Sequence, residues 1–334
     1  YIITLVFLKF MSGKNMKIIN LIKFLIIITF LSSSLHAADD GHDHDHAAHS
    51  DEPFYGHVGI RVHADHVNDA GEGEEEVNEY YTHSHVELGS RIAEGFNIDT
   101  NLKIEGEPGG HGHGGIARTH DGETRVFEDH PLIVESLTLT YSYEDFSVYL
   151  GKFNPKVGLD YHSFPGLYSY SMIEEYKIAE RIGAGVKFGA NFDDFGTHQL
   201  NVSGFHADTT FLSDAILDSR GHTSKSDGGL ANTEDFDSYA ISLGGKDFYS
   251  LDNNIVERLS YRFGYALQKA GIGNEEDEAR YSLSLSYREN FSDKISKTLI
   301  FEYMDIEHYS GEEAHDRSYF TSSLGLELYP YSFS

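Results

Sequence analysis

The chain has 334 residues, with 25 Lys and Arg against 54 Asp and Glu for a formal net charge of −29, and it contains no Cys and no Trp. The lack of Cys excludes a disulfide scaffold, a Cys-based zinc site and a thiol nucleophile. The acid excess excludes nucleic acid as a partner, because phosphates need a basic face. At 40% hydrophobic the chain can bury a core, and its 33 Gly and 22 Tyr suit many strands better than a helical enzyme.

All the acids lie beyond residue 38, and the residues before it carry only Lys as charge. Residues 1–15, which open on Tyr1, read as upstream sequence outside the fold. Met16 and Lys17 then begin a basic stretch ending at Lys23, followed by the apolar run Phe24 to Leu31 and the small-residue stretch Ser32 to Ala38. These are the three regions of a secretory signal peptide over 16–37, too short to span as a helix, and they imply export through the Sec pathway. Residues 38–52 form a His/Asp-rich periplasmic tail, and 53–334 form the folded part.

That part shows one pattern repeatedly, the period-two alternation of a half-buried strand. It is clear over 54–64, where Phe54, Gly56, Val58, Ile60 and Val62 alternate with Tyr55, His57, Gly59, Arg61 and His63. It recurs over 96–105, 182–192, 258–268 and 280–288, and more weakly over 80–92, 132–143, 146–153, 198–206, 237–248, 295–305 and 318–328. Connections alternate as well. Short ones are expected at 93–95, 144–145, 193–196, 251–254 and 292–293, and long ones at 65–78, 106–130, 154–178, 207–235, 269–278 and 306–316. Short periplasmic turns and long external loops mark a transmembrane barrel, and lipid cannot satisfy an open sheet edge. The fold class is therefore all-β, a transmembrane antiparallel up-and-down β-barrel of at least 12 strands. Residues 328–334 read as a turn after the twelfth strand, and the chain reads as a fragment lacking further strands. The location implied is the bacterial (Gram-negative) outer membrane. Tyr81, Tyr143, Phe192, Phe248, Phe291 and Tyr329, near strand ends, suit the aromatic girdles.

The run Phe146 to Gly158, ending Gly151-Lys152-Phe153-Asn154-Pro155-Lys156-Val157-Gly158, resembles the GKF-x-P-x-x-G strand end of porin-like proteins, including the phosphate-selective porin O and P superfamily. With Pro165-Gly166, Tyr168 and the stretch Glu174 to Gly185 it is similar to a group of uncharacterised alphaproteobacterial-type porins. The resemblance covers about 45 residues and implies a diffusion channel, monomeric or a homotrimer. It does not carry phosphate selectivity, because no dense Lys/Arg loop cluster accompanies it.

Strand parity assigns Arg61, Arg91, Lys103, Arg181, Lys187, Arg258, Arg262, Arg280 and Arg288 to the lumen, with Glu87, Asp99, Glu105, Glu302 and Glu327 as the acids of the same wall. The expected lumen leans basic. Segment 154–178 is too long for a bare hairpin, and folded inward it forms a constriction that sets Asp160, His162, Glu174 and Glu175 opposite the Arg sector. The function expected is a passive porin for small hydrophilic solutes or ions. Two alternatives remain, a divalent-metal binding or uptake barrel and an adhesin or structural barrel. The metal reading rests on His42, His44, His46 and His49, on His111, His113 and His120, and on a ladder of His57, His63, His83 and His85, since imidazole and carboxylate suit zinc. No cofactor is required. The acidic loops, such as 65–79 and 273–278, could bridge Ca²⁺ or Mg²⁺ to lipopolysaccharide. No G-x-S-x-G elbow or other local catalytic signature is present, so the chain is expected not to be an enzyme.

Overall fold

The computed structural model describes residues 53–66, 78–105, 125–128, 130–159, 164, 176–218, 220–248, 258–292, 294–328 and 331–333. Its strands are β1 (Phe54–Gly59), β2 (Val62–His66), β3 (Asn78–Ala93), β4 (Phe96–Glu105), β5 (Arg125–Val126), β6 (Leu132–Tyr143), β7 (Phe146–Phe153) and β8 (Arg181–Asn191). They continue as β9 (Thr197–Ala207), β10 (Ser238–Lys246), β11 (Leu259–Gln268), β12 (Glu278–Ser292), β13 (Ile295–Glu307), β14 (Arg317–Leu328) and β15 (Tyr331–Phe333). All belong to one sheet in which each strand pairs with its neighbour in the chain, except that β2 and β5 both pair β3. Every pairing is antiparallel apart from that of β5. This is the up-and-down order expected from the alternation.

Departures from the expected elements have local causes. The first strand is divided, yet both halves keep one register on β3, with Gly59 opposite His85 and Val62 opposite Thr82. Between them the Arg61 carbonyl accepts from both the Thr82 hydroxyl at 2.7 Å and the His83 amide at 3.1 Å. β5 was not expected. It lies parallel to β3 at Glu79 and Tyr80, beyond the point where β4 ends opposite His83. The β10–β11 connection, 247–258, is longer than the short turn expected at 251–254. The presumed terminal turn contains β15, which pairs Tyr331, Ser332 and Phe333 with Leu328, Glu327 and Leu326.

The sheet is inside out by the standards of a water-soluble protein. On β12 the side chains of Tyr281, Leu283 and Leu285 are 42%, 41% and 46% exposed, whereas Arg280, Ser282 and Ser284 between them are 6%, 7% and 1% exposed. The same holds for outward Phe263, Phe301, Phe320, Leu324 and Leu326 on the neighbouring strands. Water would penalise this arrangement, and hydrocarbon favours it, because lipid takes the apolar face and the paired strands leave few backbone groups unmet. The chain is an outer-membrane β-barrel protein with its apolar face in lipid.

Aromatic rings mark both ends of the apolar band. At the short-turn end Phe248 stacks on Tyr261 at 5.9 Å, and His198 shares a 2.9 Å hydrogen bond with the Tyr261 hydroxyl. At the long-loop end Tyr239, Tyr265 and Tyr281 stand on consecutive strands with ring centroids 5.9 and 5.1 Å apart.

Replacing outward Leu283 by Arg tests the assignment of faces. In lipid vesicles Leu283→Arg is expected to lower the unfolding free energy by about 2–4 kcal/mol near the midplane, read by denaturant titration. A water-facing position would change by no more than about 0.5 kcal/mol.

Candidate functional site

The described parts of the segment between β7 and β8 lie against the inner wall. β7 has eight residues where its neighbours β6 and β8 have twelve and eleven. Gly151 explains part of its early departure: its φ is +131°, and an added Cβ would lie 2.2 Å from the Leu137 carbonyl oxygen. Beyond β7 the edge of β6 is met instead by Ile216, which exchanges both backbone hydrogen bonds with Leu132 at 2.9 and 2.8 Å.

The described parts of this strap are 154–159, Phe164 and 176–180. The first part lies on the inner face of β11 to β13. Ser282 donates to the Val157 carbonyl at 2.7 Å and Arg262 to the Gly158 carbonyl at 3.3 Å. Backbone and strap approach so closely that a Cβ on Gly264 would lie 1.9 Å from the Val157 carbonyl oxygen. Glycine is therefore required there by space. Apolar strap residues Val157, Phe164, Tyr176 and Ile178 pack into one buried cluster with Phe153, Phe205, Ile300, Met304 and Ile306.

Glu302, 1% exposed, gathers both described halves of the strap. It accepts from the Leu159 amide at 2.6 Å, the Tyr176 hydroxyl at 2.8 Å and the Ser284 hydroxyl at 2.5 Å. Thr321 stands 3.4 Å from the same Tyr176 hydroxyl. Three donors on one buried carboxylate account for how a charge is kept out of water here. Beside it, Arg280 donates to the Tyr176 carbonyl and to Glu278 at 2.6 Å. Glu278 also accepts from Gln268 at 2.7 Å, whose carbonyl in turn takes Arg181 at 2.9 Å. On the opposite wall Glu135, at a bulge of β6, holds Lys103 at 3.1 Å, Lys177 of the strap at 3.4 Å and Asn154 at 3.2 Å.

These contacts place acids beside several of the expected lumen bases. Lys103 is paired with Glu135, Arg280 with Glu278, Arg258 with Glu289 at 2.5 Å and Arg288 with Glu327 at 3.3 Å. Lys187 lies over the Tyr149 ring, 6.0 Å from its centroid. Arg61 and Arg91 stand exposed near the ends of their strands. The acids Glu135, Glu278 and Glu289 were not counted from the sequence, and each pairs with one of the expected bases, Lys103, Arg280 and Arg258.

Asp160, His162, Glu174 and Glu175 lie outside the described residues, as do His42, His44, His46, His49, His111, His113 and His120. Of the expected ladder, His57 and His85 face each other with ring centroids 5.4 Å apart. Among the described residues no group of three or more His, Asp or Glu is arranged to hold a metal ion.

One cluster was missed altogether. Lys152 stands on the outward parity of β7, after exposed Leu150, yet is 0% exposed. Its ammonium reaches Glu180 at 2.7 Å, Asp208 at 2.8 Å and the Leu212 carbonyl at 2.9 Å. Arg220 also binds Glu180 through both guanidinium ends. Burial alone would raise the Glu180 pKa, but the Arg220 hydrogen bonds and the Lys152 charge outweigh it and hold the carboxyl at about 2. A lysine on lipid-facing parity was the available signal.

No family model matches the chain, and no curated protein matches it. The resemblance to the porin O and P superfamily therefore gains no support beyond the barrel itself. Among solved structures, the loop L8 deletion mutant of OmpT, an outer membrane protein of Vibrio cholerae, is 11% identical over 82% of this chain and 88% of that one, with a TM-score of 0.37. In-vitro folded OmpT is 11% identical over 82% and 81%, with a TM-score of 0.38. Its trimer form is 10% identical over 82% and 84%, with a TM-score of 0.36. Likeness at this level carries no argument about activity.

The expectation that the chain is not an enzyme is corrected. It rested on the lack of a local motif, and the structure brings Glu302, Tyr176, Ser284 and Thr321 together from four separate segments. A local pattern cannot register residues that meet from separate segments, so the lack of one does not exclude an enzyme.

Two outcomes follow from this geometry. Glu302→Ala leaves the Leu159 amide and two hydroxyls without their acceptor, at a cost of about 3 kcal/mol in total. Limited proteolysis of the folded chain should then cut within the strap faster than in the unchanged protein. Glu180 contributes stability that is fully present above its unfolded pKa of 4.5 and is lost as pH falls towards about 2. The denaturant midpoint of Glu180→Gln should accordingly depend less steeply on pH across that window.

Proposed function

We propose that the protein is a passive outer-membrane channel for small hydrophilic solutes or ions, narrowed by the strap between β7 and β8. The observation that carries this reading is the tethering of both described halves of the strap to the inner wall through Glu302. Chain tethered at the inner wall of a pore narrows the width left for passage. Beside the strap Lys103 and Lys177 pair with Glu135 and Arg280 pairs with Glu278, so the reading favours selection by size and dipole over a strong preference for one sign of charge. Outer-membrane lipid and lipopolysaccharide surround the wall, and a homotrimer fits the apolar outward face. The metal-barrel alternative rests on His tracts outside the described residues.

Planar-bilayer recording of the refolded chain tests the proposal. Discrete conductance steps are expected. Gly264→Val, whose side chain would meet the Val157 carbonyl, should displace the strap and change the step size by about twofold or more, taking conductance as governed by pore lining and radius. A well-folded barrel giving no steps would remove the channel reading.

A further inference from the structure

The cluster around Lys152 joins two parts of the molecule that the channel reading treats separately. Glu180 is the last residue of the strap, and its backbone has φ of +56°, a left-handed conformation rare for a residue with a side chain. Its amide is held by the Asn154 side chain at 2.9 Å, which ties the strap's end to its beginning. Asn154 also donates to Glu135 at 3.2 Å, and Glu135 holds Lys177 of the strap. From the lumen side, then, the strap's base is one connected set of hydrogen bonds.

The Glu180 carboxylate points the other way, into the segment that follows β9. Arg220 grips both its oxygens and is itself fixed by donating to the Ser213 carbonyl at 2.9 Å. Lys152 bridges Glu180 to Asp208 and to the Leu212 carbonyl. Asp208 is built into its own turn, accepting from the Thr210 amide at 2.9 Å and the Thr210 hydroxyl at 2.6 Å. The segment is pinned at its far side by the His222 ring, 3.0 Å from the Ser213 hydroxyl. Arg220 thus meets the Glu180 carboxylate directly, and Asp208 and Leu212 reach it through Lys152. Arg220 is the member of this set nearest solvent, with 29% of its side chain exposed.

We infer that the external segment 208–222 is a latch on the lumen strap, acting through the grip of Arg220 on Glu180. The inference rests on the strap being the element that narrows the channel. Loss of the grip leaves Glu180 in its left-handed conformation with Lys152 alone to hold it, and the Asn154–Glu180 closure loosens with it. The strap then exchanges between tethered and released positions. Anything outside the cell that draws Arg220 away would have the same effect on the lumen.

Amide hydrogen exchange on the full chain refolded in lipid vesicles reads the latch without needing a current. Two amides report. Glu180 lies at the latch, and Leu159 lies at the far end of the strap, bonded to Glu302. Arg220→Ala is expected to raise exchange at both by about tenfold, the scale of a lost charge-assisted hydrogen bond pair. Arg220→Lys keeps the charge without the fork and is expected to fall between the two. Faster exchange at Glu180 alone, or at neither amide, would overturn the latch. A folded Arg220→Lys with unchanged exchange at both amides would do so as well, should Arg220→Ala fail to fold. Conductance of the same samples separates the readings. Coupled exchange without current removes the channel and leaves the latch, whereas current with unchanged exchange removes the latch alone.

Discussion

Hydrocarbon offers no partner to a backbone amide or carbonyl, and this constraint organises the whole molecule. It demands that strands be paired, and along the sheet path each strand between β1 and β15 has a partner on both sides. Once the strands are paired, their period of two divides the side chains between lipid and lumen. The apolar face is then exposed and the polar face buried, the reverse of a soluble sheet. Serines and a buried Arg on β12 are tolerable only because the inner face supplies partners for them.

The strap is the second consequence. A wall with polar side chains pointing inward encloses groups that must be satisfied by water or by protein. Here part of that work falls to a segment of the chain itself. Its carbonyls at Val157, Gly158 and Tyr176 accept from Ser282, Arg262 and Arg280, and its Leu159 amide donates to Glu302. The apolar half of the strap lies on Ile300, Met304 and Ile306, which point inward from β13. Strap and wall are therefore complementary in both polar and apolar contact, and the close approach at Gly264 leaves no room for a side chain between them.

Much of this architecture was legible in the sequence wherever the two faces differ in chemistry. On β12 the alternation of Arg280, Ser282 and Ser284 with Tyr281, Leu283 and Leu285 is unambiguous. On β13 the run Leu299-Ile300-Phe301 hides the period, because Ile300 packs on the strap while its neighbours face lipid. The length of 154–178 set it apart from a bare hairpin, and its described parts contact the inner wall. Its anchors were not legible, because Glu302, Tyr176 and Leu159 are distant in sequence and meet only across the lumen. Charge was the least readable property. A parity count of bases and acids registered neither Glu135 at its bulge, which pairs with Lys103, nor Glu278 at the mouth of β12, which pairs with Arg280. Lys152 was the residue whose position contradicted its chemistry, and the contradiction is resolved by the external segment that covers it.

The central claim is that β12 and its neighbours form a membrane wall with lipid on one face and a packed, polar interior on the other. The chain has no native Cys, so single spin labels can be placed at Tyr281→Cys, Ser282→Cys, Leu283→Cys, Ser284→Cys and Leu285→Cys in vesicles. Electron paramagnetic resonance then reads collisions with lipid-dissolved oxygen against those with a water-soluble nickel reagent. The account requires oxygen collisions to peak at 281, 283 and 285 and to fall at 282 and 284. A profile without that period, or with the nickel reagent dominating at 283 and 285, would contradict it.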